Sequence, residues 1–143
     1  MKVSTIEELL DQPYMIIDIL PYRVDARHGS NYFEFEKFFI KSSEYTILRK
    51  KFLNIILKLS CYFDILAYNC AKGAEISVPS PQKLEELILT DEKLVYIIIN
   101  EESSLISIDN TDTNMTVFSR SEKLKELLNL LVQSEGLFMW QGT

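Results

Sequence analysis

Between residues 93 and 140 the hydrophobic period of this chain switches twice, from strand-like to helix-like and back. No other feature constrains the fold as tightly. Residues 94–99 (Leu-Val-Tyr-Ile-Ile-Ile) and 105–108 (Leu-Ile-Ser-Ile) are short β-branched runs separated by the polar tetrapeptide 101–104, the composition of a hairpin. A third run, residues 115–118, follows the polar loop 109–114. Ser119 and Glu122 then have the spacing of a capping box, in which the serine oxygen accepts from a first-turn amide and the glutamate reaches back. Leu124, Leu127, Leu128 and Leu131 fall on one side of the helix this box would open. Gly136 stands where a left-handed C-terminal cap is wanted. Residues 137–140 close the segment as a strand.

Upstream, Ser4 and Glu7 form another capping box, with Ile6, Leu9 and Leu10 on one side and Pro13 as the stop. Residues 14–20 read as a strand apolar on both faces except at Asp18, hence central. Residues 32–39 suit either a helix or a strand, and the shared face of Tyr32, Phe35 and Phe39 favours a helix capped by Asn31. Tyr45, Leu48, Phe52, Ile55, Ile56 and Leu59 form the stripe of a long helix laid across a sheet. Residues 62–68 are the next strand. Ser80 followed by Pro81 starts a short helix, since proline at the first helical position loses no amide bond. Strands joined by short loops pair antiparallel. The expected class is therefore α+β, a single domain over residues 1–143 with a mainly antiparallel sheet of five to six strands and helices on one or both faces.

Composition narrows the function by exclusion. A net charge of −6 opposes general affinity for nucleic acid, and no stretch approaches the length of a membrane-spanning helix. With no leader-like segment at residues 1–7, a cytoplasmic location is expected. Cys61 and Cys70 form no CxxC motif. Cys61 is expected as a small buried hydrophobe and Cys70 as a strand-end residue of ordinary reactivity. Four glycines and one histidine supply neither a phosphate-cradling loop nor a histidine-based catalytic set, and no cofactor or metal is expected. Asn110, Asp112 and Asn114 copy the first alternating ligands of a calcium loop. Met115 and Ser121 then stand where glycine and the bidentate glutamate are required, so the loop reads as a connection whose Asx side chains satisfy their own backbone.

Two sets of residues remain as candidates. Arg23, Asp25 and His28 share a polar loop that could hold an anion or a substrate, with Asp18 nearby in sequence. Asp18 and Asp64, each inside an apolar run, are the carboxylates expected to be desolvated, together if their strands are adjacent. The Arg49-Lys50-Lys51 run would spread around a helix as a solvated face. The leading expectation is a non-catalytic protein-binding module, of which an immunity or antitoxin-like protein is one version, with self-association through a sheet edge also open. The alternative is a small-molecule-binding protein or enzyme using Arg23, Asp25, His28 and Asp18.

Four motifs carry a resemblance: Tyr14-x-Ile16-Ile17-Asp18-x-Leu20-Pro21, Tyr32-Phe33-x-x-Glu36-Lys37-Phe38-Phe39, Asp112-x-x-Met115-Thr116-Val117 and Glu135-Gly136-Leu137-Phe138-x-Trp140. Together they resemble a family of small uncharacterised cytoplasmic proteins of Firmicutes, across most of the chain. The resemblance implies a bacterial cytoplasmic origin. It brings no activity and no functional residue.

Overall fold

Seven strands form one sheet in the order β3-β2-β4-β5-β6-β1-β7, and every neighbouring pair is antiparallel. The computed structural model describes residues 5–90 and 93–142. Along the chain the elements are α1 (Ile6–Leu10), β1 (Tyr14–Asp18), α2 (Gly29–Ile40), α3 (Ser43–Leu59), β2 (Leu66–Asn69), β3 (Ala74–Ser77), α4 (Pro81–Leu89), β4 (Leu94–Ile99), β5 (Ser104–Asp109), β6 (Asn114–Phe118), α5 (Glu122–Ser134) and β7 (Phe138–Gln141). The class is α+β, with one strand more than the sequence reading allows for. That strand is β3, only four residues long and mostly exposed, whose hairpin with β2 turns through Gly73 at φ +61°.

Period two along the strands sorts the two faces. Val95, Ile97 and Ile99 of β4, with Ile106 and Ile108 of β5 and Met115 and Val117 of β6, pack against α3, α4 and α5 to make the main core. Phe52 at the centre of α3 is fully buried there. On the opposite face Leu9 of α1 meets Ile98 and Leu105, leaving Tyr68, Tyr96 and Phe118 half-buried around them. β1 lies inside the sheet between β6 and β7.

Several boundaries differ from the sequence reading, each for a tertiary reason. Ser119 does not cap α5: its amide bonds the Pro13 carbonyl, and its hydroxyl meets the Ser104 hydroxyl at 2.6 Å in a buried pair. The cap is Ser121, whose Oγ accepts from the Leu124 amide at 3.1 Å. Ser4 lies outside the described residues, and the cap shown for α1 is Thr5, which accepts from the Glu8 amide. α2 begins before Asn31, which therefore sits within it. Residues 62 and 63 are not strand, because both amides fold back onto the Leu59 carbonyl; Phe63 plugs the core and Asp64 is exposed, far from β1 in strand order. Cys61, in the same turn, is exposed rather than buried. Burial pushes the Cys70 thiol up, which makes it a poorer nucleophile.

Other details of residues 93–140 match the expected chemistry. Gly136 adopts φ +73°, and the amides of Gly136 and Leu137 bond the Gln133 and Val132 carbonyls. In the loop after β5, Asp109 Oδ1 accepts from the Thr111 amide at 2.8 Å, an Asx turn.

Candidate functional site

The polar segment between β1 and α2 is organised by Asp25. Its Oδ1 accepts from the Arg27 amide at 2.7 Å and so caps a single 3-10 turn, Ala26–His28. The next turn of backbone brings His28 Nδ1 to 3.9 Å from Asp25 Oδ2. Arg23, Asp25 and His28 together line an open cleft of about 380 Å³, walled by Leu20, Pro21, Tyr22 and Val24. The Asp25 and His28 side chains are largely in water. A carboxylate already bonded to backbone and an exposed imidazole form a polar rim suited to contact with a ligand or partner.

Asp18 does not line this cleft. It is 3% exposed at the end of β1, where its Oδ1 accepts from the Ile19 amide at 2.7 Å. Burial pushes its carboxyl up to about 6 against the lowering effect of the Ile19 and Leu20 amides, and the Glu36 carboxylate of α2 adds to the rise. Glu36 also accepts from the Tyr32 hydroxyl at 3.0 Å, and burial pushes that phenol up to about 12. Tyr32 and Glu36, one turn apart on α2, thus stand beside a carboxylate that is costly to ionise.

The remainder of α2 is unusual. Its twelve residues include five of the chain's aromatics, yet none is buried. Phe39 packs against the core and meets Tyr45 edge-on at 6.4 Å, holding the C-terminal end. Phe33 and Phe38 stand 59% and 77% exposed, with Phe35, Tyr22 and Ile47 also turned to solvent. Large aromatics left in water on one helix offer apolar contact area of the kind that marks interaction surfaces. Lys37 lies 5.6 Å over the Phe33 ring and is the near cation of this patch.

The sequence reading places Tyr32, Phe35 and Phe39 on a shared face of this helix and draws no surface from Phe33 and Phe38. The available signal was their distribution: rings at 32, 33, 35, 38 and 39 surround a helix and cannot all face one core. It also placed Arg49 on a solvated face, whereas Arg49 is 6% exposed, with its guanidinium between the end of α4 and the end of β5. Among the described residues, no three His, Cys, Asp or Glu side chains converge as a metal-ligating group, and no helix is long and apolar enough to cross a membrane.

Fold and surface together define the class: an α+β protein whose antiparallel sheet is backed by three helices and flanked by an aromatic, largely solvated helix. No protein-family profile matches the chain, and no curated protein or solved structure is similar to it at a significant level. The resemblance to the Firmicutes family thus rests on the four sequence motifs.

Proposed function

We propose that this is a non-catalytic bacterial docking module, cytoplasmic in its setting, whose α2 surface engages a protein partner. The observation that carries the reading is the exposure of Phe33, Phe35 and Phe38 on a helix that contributes nothing fully buried to its own fold. Aromatic side chains supply large contact area at low entropic cost, which is why they dominate protein interfaces. The net charge of −6 favours a partner with a basic rim around an apolar groove. An immunity or antitoxin-like role, in which a small acidic protein covers a basic one, is the specific version consistent with that chemistry.

The test is a photo-crosslinking residue placed at Phe38 and, as a control, at Lys83 on α4, in the native host. A discrete adduct at position 38, absent at 83 and lost in Phe33→Ser, is the expected result. Equal labelling at both positions counts against the reading. An adduct of twice the chain mass identifies the occupant as a second copy, the self-association version.

A second reading has its own support, since Arg23, Asp25 and His28 do line one cleft. In it the protein holds a small anionic ligand there, as a binder or an enzyme. Chemical-shift changes confined to residues 20–28 on addition of a candidate ligand, abolished in His28→Ala, would favour it over docking.

A further inference from the structure

Arg49 is a buried cation without a carboxylate in ion-pair range among the described residues. Its Nη2 donates to the Ile88 carbonyl at 2.7 Å and its Nη1 to the Asp109 carbonyl at 3.3 Å. The Tyr45 and Phe52 rings lie 6.0 and 5.8 Å from the guanidinium carbon. A guanidinium carries five N–H donors, so two carbonyls and the Tyr45 side chain leave part of the fork unspent. Asp109, the nearest acid, turns its Oδ1 onto the Thr111 amide and hydroxyl at 2.8 and 2.7 Å. Neutral carbonyls and ring faces offset only part of the cost of burying a full charge.

Arg49 also lines a cleft of about 360 Å³ between the start of α3, the end of α4 and the β5–β6 turn. Lys93 brings a second cation to its rim and Thr46 a hydroxyl, while Tyr45 and Leu89 form an apolar wall. That volume falls within the range of small-molecule sites, and a planar fork beside a flexible ammonium is a common arrangement for gripping an oxyanion. We propose that this cleft binds a small molecule through a phosphate or carboxylate group held by Arg49 and Lys93. The site is separate from the Arg23 cleft and from the α2 patch, and does not depend on either.

The experiment titrates the full chain with inorganic phosphate and, in parallel, with acetate, at constant ionic strength against chloride, following amide chemical shifts. Saturable shifts around Arg49 and Lys93 are expected from at least one of the two. Phosphate alone assigns a phosphate-bearing ligand, and acetate alone a carboxylate. Lys93→Ala, a change on the surface that leaves the core intact, should weaken binding about tenfold, the scale of one charge-assisted hydrogen bond. Arg49→Lys, which keeps the charge and loses the fork, should do at least as much. Lys50→Ala, an exposed neighbour outside the cleft, should leave affinity unchanged. Absence of saturable binding by both anions, or equal weakening by Lys50→Ala and Lys93→Ala, overturns the proposal.

Discussion

α3 buries seven of its seventeen residues, whereas α2, joined to it through residues 41 and 42, buries none. Both helices are rich in large apolar side chains. Their difference teaches that apolar content does not place a helix in the core; its neighbours do. α3 lies across the sheet between α4 and α5, so its stripe from Leu48 to Leu59 meets covered surface along its length. α2 touches α3 near one end and the preceding turn, and no further layer covers its outer side. The apolar material in α3 stabilises the fold, while that in α2 is left free to contact something else.

Substitutions can break this contrast. Phe52→Ala empties a fully buried site and should cost about 3–5 kcal/mol in urea unfolding. If Phe38→Ala cost a similar amount, α2 would belong to the folding unit and its exposure would not be a surface free for docking. The next largest effect concerns the buried carboxyl of Asp18 beside α2. Asp18 has an ordinary value of 3.8 and titrates at about 6 in the folded chain, so between these values the folded state holds a proton that the unfolded chain has released. Stability therefore falls as pH rises through that window, by up to about 3 kcal/mol. Asp18→Asn should remove the fall, leaving stability near that of the parent at about pH 4 and higher at about pH 7.5. Identical urea midpoints for parent and variant at both pH values would show that the carboxyl is not desolvated.

Ser121→Ala removes the side-chain cap of α5 and should cost about 1 kcal/mol. Ser119→Ala gives a separate check, since it disturbs the buried pair with Ser104 rather than the cap. Helix-end amides of α5 that exchange faster in the Ser121 variant than in the Ser119 variant would confirm which serine caps. Smallest of all, Phe38→Ala should change stability by no more than about 0.5 kcal/mol while reducing partner capture. Intact capture alongside unchanged stability would remove α2 from the docking surface.

Local chemistry made much of the fold legible before any tertiary contact was known. Pro81 behind Ser80, Gly136 after α5 and the β-branched runs of β4 to β6 each specify a backbone conformation by themselves, and each has it in the structure. The candidate sites were less legible. Arg23, Asp25 and His28 come together because they lie within six residues, with Asp25 capping the 3-10 turn that ends at His28. Asp18, three residues before Pro21 in sequence, lies in the sheet and is buried apart from them. Arg49 of α3 and Lys93, just before β4, line one cleft, a separation at which no sequence spacing reports proximity.

The sequence by itself determined the α+β class, the long helix α3 and the strand and helix periods of residues 93–140. These follow from backbone stereochemistry and from which residues share a side of an element. Only the tertiary structure decided that Ser119 joins a buried hydroxyl pair, that Arg49 is buried and that the rings of α2 are not. A residue's solvent contact depends on what packs opposite it, and hydrophobic period carries no information about that second surface.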